Sequence, residues 1–445
     1  MTSPSTEQVS PQTLRRVIIA AGIGNFVEWF DFAVYGFLAT TIAQQFFPSG
    51  DASAALLKTF AVFAVAFAFR PLGGIFFGML GDRIGRKRTL AMTILLMAGA
   101  TTLIGLLPTY AAIGVAAPIL LSLIRCAQGF SAGGEYAGAC AYLMEHAPSD
   151  KRAWYGSFVP VSTFSAFAAA AVVAYALEAS LSAEAMGSWG WRLPFLIAAP
   201  LGLVGLYLRW KLDETPAFQA VKQEHAVAHS PLRETLRNHG AAICCLGAFV
   251  SLTALSFYMF TTYFATYLQV AGGLSRAVAL LVSLIALIFA AAICPLAGLY
   301  SDRVGRRVTV MTACVLLIVV VYPSFLMASS GSFAASVVGV MLLAVGAVLC
   351  GVVTAALLSE TFPTRTRYTA SAITYNMAYT IFGGTAPLVA TWLISTTGSN
   401  LSPAFYLIAV AVLALAGGLA LPETSRISLH EVGVEEKGTA PVLSR

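Results

Sequence analysis

The sequence has little charge. Only 10% of its 445 residues are Asp, Glu, Lys or Arg, and 58% are hydrophobic, whereas a soluble domain has about 25% charged and about 45–50% apolar residues. So few charges could not cover the surface of a soluble protein of this length. Disorder, a coiled coil and a secreted disulfide scaffold are excluded on the same grounds. Cysteine and histidine are also scarce, with seven and five residues, and the absence of a Cys-x-x-Cys pair argues against a zinc site.

Long apolar runs make up most of the chain. A helix needs about 20 apolar residues to cross the hydrocarbon core, and the sequence predicts an all-α membrane protein with twelve such spans. They are expected near residues 17–43, 57–80, 90–107, 113–142, 153–177, 190–210, 241–269, 277–299, 308–328, 333–358, 368–395 and 403–421. The polar segment 211–240 separates a six-helix bundle over 17–210 from a second one over 241–421, with tails at 1–16 and 422–445.

The distribution of Lys and Arg predicts the orientation, because basic residues concentrate in cytoplasmic segments. With the N-terminus inside, 21 of the 26 basic residues fall in such segments. Only Lys58, Arg192 and Arg276 fall outside, and Arg70 and Arg125 remain within the membrane. We therefore expect both termini in the cytoplasm. The first residues show no signal-peptide pattern, so we expect span one to be retained.

The two halves contain a repeated loop. The loop after span two recurs 220 residues later, after span eight, and weaker echoes link Glu145 with Glu360 and segment 213–216 with 422–424. The repeated positions are Gly78, Asp82, Arg83, Gly85 and Arg86 in the first copy and Asp302, Arg303, Gly305 and Arg306 in the second. A duplicated six-helix unit is typical of secondary transporters, whose substrate site lies between the halves near the bilayer midplane.

Twelve spans with two copies of Gly-x-x-x-Asp-Arg-x-Gly-Arg-Arg resemble the major facilitator superfamily. A finer resemblance, to its metabolite:proton symporter family, rests on segments 24–32, 70–74, 128–136 and 189–195. That family includes proline/glycine betaine, α-ketoglutarate, citrate and shikimate permeases, and the N-terminal half looks most like the proline/betaine members. The resemblance implies the major facilitator fold of two six-helix bundles, alternating access, and proton-coupled uptake of a small metabolite without a cofactor.

The resemblance also implies a role for the repeated loops. In this superfamily the Asp and Arg of the loop hold the helices of one half together in the outward-facing state. The nine repeated positions named above are therefore expected to form a conformational latch, in which the glycines permit close backbone approach. Basic residues in these loops would also orient the helices whatever the protein does.

Five charged residues lie deep inside the predicted spans, away from the span ends that carry Lys58, Arg192 and Arg209, and all five belong to the N-terminal half. They are Glu28 and Asp31 in span one, Arg70 in span two, and Arg125 and Glu135 in span four. Ion pairs could neutralise two of the carboxylates, but three acids against two bases leave one over. A carboxylate without a counter-charge in a low-dielectric site readily takes up a proton. We therefore expect Glu28, Asp31 or Glu135 to carry the coupled proton.

Spans seven and eleven are rich in aromatic and hydroxyl residues and predict a pocket wall, and Gly383 and Gly384 would let span eleven bend. An aromatic wall attracts an ammonium group, while Arg70 or Arg125 would hold a carboxylate. The candidate substrate-binding residues are Tyr35, Arg70, Arg125, Gln128, Tyr258, Thr262, Tyr375, Asn376 and Tyr379. The glycines of span four, such as Gly129 and Gly133, predict close helix packing.

The nature of the substrate is left open between two classes. A zwitterion such as proline or glycine betaine fits a site with both an arginine and an aromatic wall. A di- or tricarboxylate could bind if both arginines faced it and the acids were protonated, and the Phe-Gly-Gly of span eleven and the Thr-Thr-Tyr of span seven resemble the carboxylate members. A drug-efflux antiporter with the same fold is a third interpretation.

The sequence contains no nucleotide loop, metal-ligand cluster or soluble sensor domain, so we expect a carrier and not an enzyme. The expected partners are the substrate, protons and the lipid bilayer. The basic residues form no continuous face for nucleic acid. We expect a monomer in the bacterial cytoplasmic membrane. About 20 residues follow span twelve without heptads, so osmotic regulation through a coiled-coil tail is not expected.

Overall fold

The computed structural model describes residues 11–425, apart from 85, 135, 137–139, 141–142, 145–146, 211–230 and 363–366. Within its helices, side chains are described except at 11–17, 20–21, 24, 78–79, 81–84, 86–90, 134, 149, 208–210, 231–239 and 367–369. Every regular element in the described residues is helical. The fold class predicted from the sequence, all-α, is confirmed for these residues.

The N-terminal half, residues 11–210, contains eleven described α-helices. These are α1 (Pro11–Phe37), α2 (Ala39–Phe46), α3 (Ala52–Ala68), α4 (Arg70–Ile84), α5 (Arg86–Leu106), α6 (Tyr110–Ile113), α7 (Ala116–Ser131), α8 (Arg152–Gly156), α9 (Phe158–Ser180), α10 (Ala183–Ser188) and α11 (Leu193–Trp210). Short 3₁₀ turns occupy Ala132–Gly134, Ser149–Lys151 and Gly190–Arg192.

The C-terminal half, residues 231–425, contains eight described α-helices and two π-helical segments. The helices are α12 (Pro231–Tyr258), α13 (Phe264–Val270), α14 (Arg276–Val304), α15 (Arg306–Ala328), α16 (Phe333–Glu360), α17 (Arg367–Ala378), α18 (Ala386–Thr397) and α19 (Ser402–Leu419). The π segments, Met259–Tyr263 and Tyr379–Gly383, join α12 to α13 and follow α17. Such segments often occur at functional sites.

Nine helices of the described residues are long and apolar enough to cross a bilayer. A tenth crossing forms if α1 and α2, which are bent by 63° at Leu38, count as one. Two shorter apolar helices, Ala91–Leu106 and Ala116–Ser131, lie where spans three and four are predicted. Predicted spans one and four are therefore not single straight helices, since the first bends at Leu38 and the second changes to a 3₁₀ turn after Ser131.

The two halves pack against each other through two sets of helices. In one set α9 and α8 contact α14, and α8 also contacts α16; in the other α3 contacts α18 and α4 contacts α17. Within the N-terminal half, α1 packs on α9 and α11, and α5 on α11; within the C-terminal half, α15 and α14 pack on α16, and α12 on α19. The two contact surfaces between the halves enclose the centre of the molecule, where buried polar residues collect.

Glycine permits unusually close packing of α3 and α4 against α7. A Cβ on Gly129 would overlap the carbonyl of Ala66, and one on Gly133 would overlap the carbonyl of Arg70. Small residues let membrane helices approach until their backbones touch. The close packing predicted for span four is therefore observed at both glycines, and it sets the depth at which Arg70 enters the bundle.

The Trp-Gly-Trp-Arg-Leu-Pro-Phe stretch at 189–195 closes one end of the N-terminal half. Arg192 donates from Nη1 to the carbonyls of Gly105 and Leu107, at 2.8 and 2.6 Å. Its guanidinium lies 4.5 Å from the ring centroid of Trp191. The last carbonyls of a helix lack partners within the helix, and a basic side chain near them supplies donors. This stretch therefore caps α5.

We predict that Gly129→Ala destabilises the protein, because the added methyl group must push α7 away from α3. Overpacking of this kind costs about 1–3 kcal/mol. The matched control is Gly99→Ala, since Gly99 is exposed on α5 and a Cβ there meets nothing within 4 Å. Thermal unfolding in detergent should show a clear loss for the first variant and none for the second. Equal midpoints for the two variants would contradict the packing argument.

Candidate functional site

A helix break brings Arg70 into the centre of the bundle. Helix α3 ends at Ala68, and α4 begins at Arg70, directly before Pro71. A proline disfavours helical geometry in the residue before it and removes one backbone donor. The break lets the Arg70 side chain turn inward, where it is fully buried. Its Nη2 donates to the carbonyl of Ala132 at 3.4 Å.

The 3₁₀ turn at Ala132–Gly134 supplies carbonyl groups to both halves. The carbonyl of Ala132 accepts from Arg70, and that of Gly133 accepts from Asn376 Nδ2 at 3.1 Å. Thr380 of the π segment donates to the carbonyl of Phe67 at 3.0 Å. Asn376 and Thr380 thus bind the C-terminal half directly to backbone groups of spans two and four.

Arg70 forms an ion pair with Glu28. Their Nη2 and Oε1 atoms are 3.8 Å apart, and both side chains are almost entirely buried, with exposed fractions of 1% and 5%. The guanidinium also lies 5.2 to 5.9 Å from the ring centroids of Trp29, Phe32 and Phe67. Aromatic faces attract a cation most strongly when both are removed from water.

Arg125 belongs to a second polar cluster within the N-terminal half. Its Nη1 donates to Gln128 Oε1 at 2.7 Å, and Gln128 Nε2 donates to Thr101 Oγ1 at 2.6 Å. The guanidinium lies 4.2 Å from the ring centroid of Tyr35 and 5.4 Å from that of Phe32. Phe32 is therefore in contact range of both arginines. The Tyr35 hydroxyl donates away from the cluster, to the carbonyl of Thr59 at 2.9 Å.

Asp31 is the acidic member of the second cluster. It is 1% exposed, and Thr101, Glu28 and Arg125 are the polar groups that act on its carboxyl. Neither carboxylate oxygen has a hydrogen-bond partner among the residues that the structure describes. An ionised carboxylate is costly to bury without such partners, and Thr101 and Arg125 are the neighbours that offset this cost.

Aromatic side chains from both halves surround Arg70. The rings of Tyr136, Tyr375 and Tyr379 form a stack, with centroid distances of 4.6 and 3.9 Å. The Tyr258 ring lies 6.1 Å from that of Tyr379 and 6.3 Å from that of Trp29. Tyr258 and Tyr375 are fully buried, and neither hydroxyl has a hydrogen-bond partner in the described part of the chain.

Asn25 fixes Trp29 in this wall. Trp29 Nε1 donates to Asn25 Oδ1 at 2.9 Å, while Asn25 Nδ2 donates to the Ser162 and Thr163 hydroxyls at 2.8 and 2.7 Å. The asparagine thereby ties α1 to α9. Asn25 and Thr101 were not among the candidate residues, because a neutral polar residue within an apolar span gives no sequence signal of its partners.

The remaining candidates lie at different distances from this centre. Thr262 is buried in the first π segment, where a Cβ on Gly36 would meet its side chain. Glu135, the third acid predicted for proton coupling, lies outside the described residues. A cavity of about 10 Å³ adjoins Glu28 and is lined by Val27, Ile94, Met97, Ser131 and Ala132. It has room for about one water molecule.

At one end of the bundle, the second repeated loop holds a buried charge cluster. Arg306 donates from Nε and Nη2 to both carboxylate oxygens of Glu360, each at 3.1 Å, and from Nη1 to Asp302 at 2.9 Å. A two-point contact of this kind fixes geometry as well as charge. Arg152 Nη1 of the N-terminal half lies 3.6 Å from Glu360 Oε1. The cluster therefore contains charged residues from both halves.

Asp302 joins the halves through backbone groups. Its two carboxylate oxygens accept from the N–H groups of Ala153 and Trp154, at 3.0 and 2.8 Å. These donors lie at the start of α8, where a helix leaves its first N–H groups without internal partners and favours an anion. The predicted latch residue thus contacts the opposite half as well as Arg306 of its own half.

The segment that follows α19 packs against the same loop. Glu423 accepts from the backbone N–H groups of Arg306 and Arg307, at 2.8 and 3.0 Å. Burial raises the pKa of the Glu423 carboxyl, but these bonds and those from Ser425 outweigh it and leave the pKa below its ordinary value. Gly305 has a φ of 94°, and a Cβ there would collide with the Glu423 carboxylate. The glycine is therefore required at this turn.

Of the other predicted latch positions, the side chain of Arg303 is described. Arg303 is exposed and has no ion pair with a described residue. In the first copy, Gly85 lies outside the described residues, and the side chains at Gly78, Asp82, Arg83 and Arg86 are not described. Their assignment to a latch stays a prediction.

Hydrogen bonds also join the halves at the opposite end. Arg276 donates from Nη1 to Thr41 Oγ1 and from Nη2 to Gln44 Oε1, both at 3.2 Å. Thr40 donates to Gln269 at 3.4 Å. The partners in the N-terminal half all lie on α2, the bent end of span one. The clusters around Arg70 and Arg125 thus lie between two sets of contacts that bridge the halves, one through Asp302 and one through Arg276.

We predict that Asp302→Ala loosens the halves at the end that carries the repeated loop, because it removes two hydrogen bonds to α8. Spin labels at Asp150→Cys and Arg303→Cys, introduced after replacement of the native cysteines, should report a longer distance in this variant by electron resonance. Glu184→Ala is the control, since Glu184 is an exposed acid at another site. An unchanged distance distribution would show that Asp302 does not hold this end closed.

Comparison with known proteins gives one family and one fold. The profile of the Major Facilitator Superfamily matches residues 21–387 and 295–444. The proline/betaine transporter of Salmonella typhimurium is 38% identical over 97% of this chain and 86% of its own. The glycine betaine/proline/ectoine/pipecolic acid transporter OusA of Dickeya dadantii is 39% identical over the same shares. The structure of the proton:xylose symporter XylE superposes with a TM-score of 0.73 at 19% identity, over 95% of this chain and 99% of that one.

Proposed function

Because the chain belongs to the major facilitator superfamily and is a multi-pass membrane transporter, we propose that it takes up a small zwitterionic solute, such as proline or glycine betaine, together with protons. The proposal is carried by one observation: two carboxylates and two arginines meet at the buried centre, and aromatic residues of both halves surround them. Relatives named for proline and betaine support this substrate class.

The proton is assigned to Asp31. Glu28 already pairs with Arg70, whereas both oxygens of Asp31 lack hydrogen-bond partners among the described residues. A buried carboxylate in this position gains from protonation. Arg125 lies in the same cluster and would compensate the negative charge when the proton leaves. Proton binding and release at Asp31 would thus alter the charge balance of the whole centre.

A zwitterion suits this centre better than a polyanion. Arg125 is held by Gln128 and by the Tyr35 ring of the N-terminal half, whereas Arg70 is acted on by Tyr258, Tyr375 and Tyr379 of the C-terminal half. One carboxylate would bind there, and an ammonium group would lie against aromatic faces such as Trp29 and Phe257, whose centroids are 5.2 Å apart. A di- or tricarboxylate would need a second arginine directed at the substrate.

Transport would proceed by alternating access of the two halves. Contacts through Asp302 and Arg152 close one end, and contacts through Arg276 close the other. The cavity of about 10 Å³ beside Glu28 is too small for any of these solutes, and contacts between the halves close both ends, so one set of contacts has to open for each loading step. We therefore assign the described structure to a closed step of the cycle.

We further propose twelve crossings with both termini in the cytoplasm of a bacterium. The nine candidate spans, the bent pair and the two shorter apolar helices support this count. The orientation places the repeated loops inside and Arg276 outside, in line with the distribution of basic residues. Alkaline phosphatase, which is active only outside the cytoplasm, should be inactive when fused after residue 445 and active when fused near residue 272. The reverse pattern would overturn the orientation.

Proteoliposomes provide the test of the function. Labelled glycine betaine or proline should accumulate under an inwardly directed proton gradient, and a protonophore should abolish the accumulation; α-ketoglutarate and citrate serve as alternative substrates.

Asp31→Asn should lose accumulation but keep exchange of internal for external solute, because exchange needs no net proton movement. Gradient-independent uptake would rule out symport, and outward flux would favour efflux. If Asp31→Asn accumulates solute and Glu135→Gln does not, the proton belongs to Glu135.

A further inference from the structure

We infer that the carboxylate of the transported solute binds in a socket formed by the Arg70 guanidinium and the hydroxyl groups of Tyr258 and Tyr375. Arg125 takes no part in holding it and serves Asp31 instead. The inference rests on the proposed function, since it takes the solute to carry a carboxylate. The two arginines would thus have different roles, Arg70 in binding the solute and Arg125 in compensating Asp31, although the sequence alone does not distinguish them.

The socket is defined by donors that have no partners. Arg70 Nε and Nη1, the Tyr258 hydroxyl and the Tyr375 hydroxyl are all buried, and none has a hydrogen-bond partner among the described residues. A buried donor left unsatisfied costs about 1–3 kcal/mol, and more when it is charged. Several such donors at one place indicate a position built for a ligand and not for protein packing alone.

These groups converge on one point. Tyr258, Tyr375, Glu28 and Tyr379 are the groups that act electrostatically on Arg70. The Tyr258 ring packs edge-on against Phe67, at 5.2 Å, and the Arg70 guanidinium lies 5.2 Å from the same Phe67 ring. The Tyr258 ring therefore lies beside the guanidinium, and Tyr375, whose ring stacks on that of Tyr379 at 3.9 Å, is close enough to act on the same charge.

The chemistry of the donors selects an anionic oxygen ligand. A guanidinium donates only, and a tyrosine hydroxyl has one proton to donate. Arg70 Nη2 is already directed at Glu28 and Ala132, which leaves Nε and Nη1 for another acceptor. A carboxylate offers two oxygens with about four acceptor positions, enough to accept from the guanidinium and from both hydroxyls at once.

The socket is shared between the halves. Arg70 comes from the N-terminal half, while Tyr258 and Tyr375 belong to α12 and α17 of the C-terminal half. A carboxylate bound to all three would add contacts between the halves that exist only when the halves are closed. Solute binding would therefore favour the closed state, as alternating access requires of a substrate.

Arg125 lies in a different environment. The side chains that contact its guanidinium, Gln128, Tyr35, Phe32 and Phe63, all belong to the N-terminal half, and Tyr258 is the residue of the C-terminal half that acts on its charge. Its Nε and Nη2 also lack hydrogen-bond partners in the described residues, but Asp31 with two unpartnered oxygens acts on the same guanidinium. Asp31 therefore already supplies a negative counter-charge to Arg125, so Arg125 does not need one from the solute.

The test removes the two hydroxyls and keeps the rings. Tyr258→Phe and Tyr375→Phe should each weaken glycine betaine binding to the purified full-length protein by about 10-fold or more, since hydrogen bonds to a charged group contribute about 1.5–3 kcal/mol. Choline has the same trimethylammonium group without the carboxylate, so any choline binding should change little. Tyr267→Phe is the matched control, because its hydroxyl already donates to the carbonyls of Phe325 and Asn400 and lies away from Arg70.

Calorimetric titration, with thermal unfolding to verify each variant, separates the outcomes. If the wild type takes up betaine or proline but Tyr258→Phe and Tyr375→Phe bind betaine as tightly as Tyr267→Phe does, the socket is overturned and the proposed function stands. If the wild type binds neither betaine nor proline but binds α-ketoglutarate, and both Tyr→Phe variants weaken that binding, the proposed substrate is overturned and the socket is supported. Equal losses for betaine and choline would also overturn it, since the hydroxyls would then serve the pocket in general.

Discussion

The cost of burying charge inside a helical bundle governs this structure. Glu28, Asp31, Arg70 and Arg125 are all at most 4% exposed, and an ionised group at such depth is retained only where another charge, a hydrogen bond or an aromatic face compensates it. Helices satisfy their own backbone groups and leave little for a buried side chain to bind. The 3₁₀ turn at Ala132–Gly134 supplies one such partner, since the carbonyl of Ala132 accepts from Arg70.

The same constraint explains how two bundles can form one carrier. Each half is held together by its own packing, and polar contacts between halves lie in three layers: Asp302 with α8 at one end, Asn376 and Thr380 with spans two and four in the middle, and Arg276 with α2 at the other end. Each layer consists of a few hydrogen bonds, so the end layers can break separately. A ligand that adds bonds in the middle layer can offset the loss at either end.

Much of the arrangement could be predicted from the sequence because it depends on spacing. The depths of Glu28 and Arg70 in adjacent spans put them level, and they form an ion pair. Arg125 and Gln128 are one helical turn apart and are hydrogen-bonded. The glycines of span four pack as expected. The repeated loop identified Asp302 and Arg306 as a cluster, since its acidic and basic positions recur.

Other features depend on tertiary contacts that leave no local trace. Thr101 is one of two adjacent threonines in an apolar span, and the sequence does not show that Thr101 is the one that accepts a hydrogen bond from Gln128. Tyr136 stacks on Tyr375 from the opposite half, and no periodicity relates the two. The glycine pair in span eleven suggested a bend, but the change of geometry is a π segment that begins at Tyr379. Glu423 was visible only as a weak echo of the central loop, although it binds the loop before α15.

The central claim is that solute and proton occupy the same buried centre and depend on each other's charge. The most direct measurement is proton exchange on solute binding, with purified protein in weakly buffered detergent solution and a pH indicator, between about pH 5 and pH 9. The account predicts net proton uptake when glycine betaine or proline binds, within a limited pH range, and none in Asp31→Asn although the solute still binds. Solute binding by the wild type without proton uptake at any pH in this range would contradict it.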